Sequence, residues 1–249
     1  MKWNVVYPIS VLGAITIIGL LYFTDNLTLT SFGTALIALL ATFFGALFAF
    51  RLNERKDESK EQARRILALN RAILVLGAQH NEIRTILRDV DAYPELILRA
   101  LQMNAAMPVQ SLRLEQRLDD LLFLLESSDP NMLFELHLEQ IRFDQALETV
   151  RLRAKFTADV LHPEMAQHQL RGKLVTEEML RSILGELVFE SAVNMTATMT
   201  YHVRGSNESL PTMQKKLRAM AKDLFPEQKF ITFDLKEVPP NFDPRQDGV

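Results

Sequence analysis

The chain has 249 residues, with 28 basic and 31 acidic side chains, a formal net charge of −3 and no cysteine. The lack of cysteine excludes disulfides, thiolate catalysis and Cys-ligated zinc, and so small an acidic excess leaves no broad basic face for nucleic acid. The charge is unevenly placed: residues 1–50 hold only Lys2 and Asp25, whereas the other 199 residues hold 27 basic and 30 acidic side chains.

Residues 5–23 and 32–50 are two uncharged apolar runs of equal length, joined by TDNLTLTS. At 1.5 Å per residue each makes a helix of roughly 28 Å, close to the hydrocarbon thickness of a bilayer. The short connection makes them an antiparallel hairpin, and the absence of an A-x-A-like site after the first run speaks against a cleaved signal. Lys2 precedes the first span and Arg51, Arg55, Lys56, Lys60, Arg64 and Arg65 follow the second, while the connecting loop has no Lys or Arg. Basic residues stay on the inner side, so both termini are expected in the cytoplasm, with the protein multi-pass in its membrane. In the second span Ala38, Ala41, Gly45 and Ala49 fall on one helical stripe that permits close approach of another helix.

No Gly or Pro interrupts residues 46–76, so the second span is expected to continue as a polar stalk over 51–65. Glu61 and Arg65 there stand in the favourable i, i+4 order. Ile66, Leu69, Ile73, Leu76, His80, Ile83, Leu87 and Val90 then alternate spacings of three and four, the pattern of a packing seam in a coiled coil or helical bundle. His80 in that seam is either a pH-sensitive element or a core histidine hydrogen-bonded to a neighbouring helix.

Pro94 and NAAMP (104–108) bracket a short helix near 94–103, and a longer one is expected over Val109–Glu126. SSDPN (127–131) breaks the chain, with Asp129 as a cap and Pro130 at a first helical position. The next helix is expected over about 131–160, its apolar face including Leu133, Leu136, Phe143, Leu147, Val150, Ala154 and Leu161. Another opens at Thr176, with Glu177 and Glu178 in the first turn where the helix dipole favours them; it should bury Leu180, Ile183, Leu184, Leu187 and Val188. Residues 194–203 read as a continued helix, although their strict alternation allows a strand. RGSN (204–207) is expected to end that helix, Pro211–Leu224 to form the last one, and KFITFDLK (229–236) to be a strand, its natural partner being 194–203.

These readings give an all-α fold: a transmembrane hairpin over 1–50, a polar stalk over 51–65, a cytoplasmic helical bundle over 66–236 with a candidate β pair near its end, and an extended tail over 237–249. The five histidines match no H-E-x-x-H spacing; His162, Glu164 and His168 offer only a loop-borne metal set, and no phosphate-binding or serine-elbow motif occurs. No cofactor, metal or catalytic residue is assigned.

The stretch FLLESSDPNMLFELHLEQIRF (123–143), with the two spans and NRAILVL (70–76), resembles a group of uncharacterised bacterial inner-membrane proteins that carry two membrane helices and a helical cytoplasmic domain. The same layout looks like membrane effectors of antiphage defence, by fold-level analogy. The expected function is a non-enzymatic scaffold, sensor or adaptor that self-associates on the bilayer and takes a cytoplasmic protein partner. A pore-type effector lined by the small-residue stripe is the alternative, and a hydrolase of nucleic acid or nucleotide stands behind it.

Overall fold

The computed structural model describes residues 19, 29–105, 115–168 and 176–232. All regular structure among them is helical: α1 (Leu29–Asp91), α2 (Leu96–Gln102), a 3-10 helix (Leu118–Glu126), α3 (Asn131–Phe156), a π-helical turn (Thr157–Leu161), α4 (His162–Gln167), α5 (Glu177–Leu184) and α6 (Glu186–Leu224). The described residues fall into two units, the first ending at Gln62 and the second beginning at Ala63. The first expected span, residues 5–23 apart from Gly19, and the expected tail lie outside the described residues.

In the first unit, α1 is the one helix among the described residues long and apolar enough to cross a membrane, and none of its most apolar stretch is buried. Ile37, Phe44, Phe48 and Phe50 are all more than half exposed. The hydroxyl of Thr42 donates to the Ala38 carbonyl at 2.8 Å, so this residue of the apolar stretch satisfies its donor inside its own helix.

The second unit has two apolar clusters. The larger joins the later part of α1 (Leu69, Ile73, Leu76, Ile83, Val90) to Leu121 and Leu124, to Leu136 and Phe143 of α3, and to Met199, Val203, Leu210 and Leu217 of α6. The smaller joins Ala100 and Leu101 of α2 to Leu161, to Leu180 and Leu184 of α5, and to Phe189 and Ala192 of α6.

Several expectations are corrected. Where a helix over Val109–Glu126 is expected, residues 115–117 are not helical and 118–126 form a 3-10 helix, 109–114 lying outside the described residues. Its three-residue turn stacks Leu118, Leu121 and Leu124 on one face, and Leu121 and Leu124 are buried. The N-cap of α3 is Pro130, with no side-chain cap bond, rather than Asp129; the Asp129 carboxylate instead lies 3.4 Å from Lys216. The helix expected over 131–160 widens at Thr157–Leu161, where the His162 N–H reaches back five residues to the Thr157 carbonyl. Pro163 explains the wider turn, since its ring would crowd the carbonyl four residues earlier and it has no N–H to offer.

The helix opening at Thr176 is present, with the Thr176 hydroxyl accepting from the Met179 N–H at 3.3 Å, but it stops at Gly185, whose φ of 79° is left-handed. That turn re-aims the chain and leaves Leu187 81% exposed instead of buried. The alternating segment 194–203 lies wholly inside α6, as do RGSN and Pro211. With 194–203 helical there is no partner for a β pair, and residues 229–232 show no strand; 233–236 lie outside the described residues.

Candidate functional site

Ala38, Ala41, Gly45 and Ala49 all sit exposed on α1. A Cβ added at Gly45 would meet nothing within 4 Å, so among the described residues no helix packs on this stripe.

The seam residues have a different fate. Leu69, Ile73, Leu76, Ile83 and Val90 are buried, and Ile66, His80 and Leu87 are half-buried. The apolar members belong to, or pack against, the core that α1 shares with α3 and α6 of the same chain. The three-four spacing is therefore consumed within one molecule. Leu67 and Leu74, which widen the apolar face in the sequence, are exposed at 69% and 47%.

His80 is half-buried beside Asn207 of α6, and its Nδ1 is buried without a partner among the described residues. Burial holds its pKa below 6.5, the Asn207 side chain opposes that, and Arg84 adds to the lowering. The imidazole is thus kept neutral near pH 7, since charging it would cost desolvation.

Around the same stretch of α6 runs a line of polar contacts to α1 and α3. The Ser209 hydroxyl donates to the buried Glu139 carboxylate at 2.5 Å, and Arg142 also donates to Glu139 at 3.2 Å. Ser206 donates to the Arg142 carbonyl at 3.4 Å, Gln214 to the Ile73 carbonyl at 3.4 Å, and Arg204 pairs with Asp91 at 3.1 Å. Nearer the 3-10 helix, Gln79 Nε2 and the Gln116 N–H both donate to Gln140 Oε1, at 2.8 and 3.1 Å. Gln116 Nε2 donates to the Ala72 carbonyl at 3.2 Å.

The most unusual interior feature was not singled out from the sequence: two buried arginines, Arg99 and Arg153, 5% and 2% exposed. Arg153 donates to the carbonyls of Arg99 (3.0 Å), Met103 (2.9 Å) and Asn104 (3.2 Å), more weakly to that of Ala100 (3.4 Å), and to the Thr196 hydroxyl (3.1 Å). Arg99 in turn donates to the carbonyls of Val90 (3.0 Å), Tyr93 (2.9 Å) and Pro94 (3.0 Å), and to the Thr200 hydroxyl at 3.4 Å. The Thr200 hydroxyl itself donates to the Thr196 carbonyl at 2.8 Å.

Each guanidinium closes the C-terminal end of a helix, Arg153 that of α2 and Arg99 that of α1, where carbonyls have no intrahelical donor and the helix dipole favours positive charge. Burial alone pushes the Arg153 pKa down to about 10, and burial is also the main cause of the lowering at Arg99. Both remain charged at neutral pH. The signal for Arg153 was its register: Phe143, Ala146, Val150 and Arg153 continue one helical stripe, and all four are buried.

These groups build helix ends rather than a reaction centre, because the donors are directed to backbone carbonyls and threonine hydroxyls. His162 and His168 are exposed on and beside α4, with Glu164 half-buried, and among the described residues no group of three His, Asp or Glu side chains is placed to hold a metal ion. No protein-family model, curated protein or solved structure matches the chain.

Proposed function

We propose that the protein is a non-enzymatic membrane-tethered scaffold or adaptor, anchored in a bacterial inner membrane by the hairpin 5–23 and 32–50, with both termini and the helical domain in the cytoplasm. The observation that carries this reading is the division of α1: its apolar stretch is wholly unburied, while its later residues Leu69, Ile73, Leu76 and Ile83 are buried in the domain core. An uncovered apolar surface of this length needs a covering, and lipid provides one for a helix with the dimensions of a bilayer span.

Self-association is part of the proposal. The seam Ile66–Val90 is occupied within the chain, so association between copies must use other surfaces. In the bilayer that surface is the stripe Ala38, Ala41, Gly45 and Ala49, which is open and small enough for close helix contact.

The test is expression of the full chain followed by carbonate extraction and measurement of its mass in mild detergent. The protein should resist extraction and run at a multiple of the 28.5 kDa chain mass. Recovery in the soluble fraction would refute the anchor, and a monomeric mass would refute self-association.

A further inference from the structure

The segment read from the sequence as a strand has another role in the structure. After α6 ends at Leu224, a turn closed by the Gln228 N–H on the Phe225 carbonyl at 3.1 Å sends the chain back over α1 and α6. Residues 229–232 then lie without regular secondary structure. Phe230 is 6% exposed and belongs to the main core, while its neighbour Ile231 is 37% exposed. The Ile231 N–H donates to Asn70 Oδ1 on α1 at 3.1 Å. The Asn70 amide is oriented for this by its own donation to the Ile66 carbonyl at 3.2 Å. From α6, Arg218 Nη2 donates to the Thr232 hydroxyl at 3.0 Å.

One aromatic anchor, one backbone N–H read by a side-chain amide and one hydroxyl contact make up the hold on this segment. Such a seat recognises an extended peptide of the type aromatic, β-branched, hydroxyl-bearing, taking its affinity from the anchor and its register from the backbone contact. The fit is incomplete, because the buried Nε–H of Arg218 has no acceptor among the described residues. No β ladder or helical bond ties residues 229–232 to the core, so the Phe230 side chain and the two polar contacts are what hold them in their seat.

We propose that residues 229–232 are a displaceable strap, and that their seat between Asn70 and Arg218 is an interaction surface between copies, taking the Phe230–Thr232 segment of a second molecule. The second copy is the occupant whose chemistry is already known to fit, since it brings the same Phe-Ile-Thr sequence on the same short turn. Exchange of an identical element conserves every contact and is a low-cost route to association. Tethering to one membrane raises the effective concentration of one copy for another. This inference rests on the self-association proposed above and names a surface for it distinct from the membrane stripe.

The absence of cysteine permits a direct test in the full-length protein in membranes. Two differently tagged forms are co-expressed, one carrying Asn70→Cys and the other Ile231→Cys, and treated with a short bismaleimide. A crosslinked product bearing both tags is expected, well above that from pairing Asn70→Cys with Glu208→Cys. The double variant, crosslinked within one chain, should associate measurably less than wild type. Absence of the two-tag product overturns the proposal. Undiminished association of the internally locked double variant overturns it too, while leaving self-association standing through another surface. A wild-type chain that is monomeric throughout removes both readings.

Discussion

Replacement of Arg153 by methionine tests whether a buried cation can hold the end of a helix. The guanidinium makes three well-placed bonds, to the carbonyls of Arg99, Met103 and Asn104 at 2.9–3.2 Å. Methionine fills similar volume and leaves the Met103 and Asn104 carbonyls unmet, each at a cost of about 1–3 kcal/mol, while the Arg99 carbonyl keeps the Met103 N–H at 3.3 Å. Against this, removal of the charge relieves its desolvation. Burial lowers the pKa from its ordinary value to about 10, and at about 1.4 kcal/mol per unit the relief is roughly 3 kcal/mol. With about 2 kcal/mol lost at each of these two carbonyls, Arg153→Met is destabilised by a net of about 1 kcal/mol. Near neutral pH the arginine is charged in both folded and unfolded chains, so the loss should not depend on pH between about 6 and 8.

Helical circular dichroism of the full chain in detergent should show melting lowered by about 2–4 °C, given about 2–4 °C per kcal/mol for a domain of this size. Hydrogen exchange should quicken at the backbone amides of Ala100–Met103. Arg153→Lys should recover only part of the loss, since an ammonium cannot span the carbonyls as the planar fork does. A methionine variant as stable as wild type, or more so, would refute the reasoning and show that desolvation outweighs the capping.

Three further outcomes follow from the same physics. Ile73 is fully buried, so Ile73→Asp places an unpaired carboxylate in the core and should cost at least about 4 kcal/mol; unchanged melting would contradict the assignment of this seam to the interior. Gly185 has φ of 79° and ψ of 149°, a region essentially reserved for glycine, with open space around its Cα, so Gly185→Ala should cost about 1–3 kcal/mol through backbone strain alone, and an equally stable variant in denaturant titration would contradict this. His80 has its pKa lowered by burial, so its contribution to stability is fully present above about pH 6.5, the unfolded value, and is lost as pH falls through the lower folded value. Melting should therefore drop between pH 7.5 and 5.5, and His80→Gln should reduce that drop; identical pH slopes in both proteins would rule the histidine out as its source.

The parts legible in the sequence were those where one term dominates. The spacing from Ile66 to Val90 repeats often enough to mark a buried helix face, although it does not say whether the partner is the same chain or another. The segment RGSNESLP was misread because Gly205, Ser206, Asn207 and Pro211 each argue locally against a helix. The local penalties are about 1 kcal/mol for Gly and about 3 for Pro. In the fold they are offset by Ser206 on the Arg142 carbonyl and Ser209 on Glu139, contacts that are remote in sequence. The alternation of 194–203 misled for a related reason: Thr196, Met199, Thr200 and Val203 also form one helical stripe, and that is the buried set. The two threonine hydroxyls are tolerated inside because Arg153 and Arg99 donate to them. The arginines escaped notice because charge in a sequence reads as surface, and only the folded course of the chain over residues 90–104 supplies the carbonyls that hold them.

The central claim, that α1 enters a bilayer and that the helical domain lies on its inner face, is tested most directly by labelling single cysteines in a chain that naturally has none. Asp25→Cys, in the loop between the two apolar runs, and Lys56→Cys, beyond the second, are each treated in intact spheroplasts with a membrane-impermeant maleimide. Labelling of Asp25→Cys before lysis, and of Lys56→Cys only after it, is the predicted result. Labelling of Lys56→Cys from outside, or equal labelling of both, would contradict the hairpin and the cytoplasmic placement of the domain.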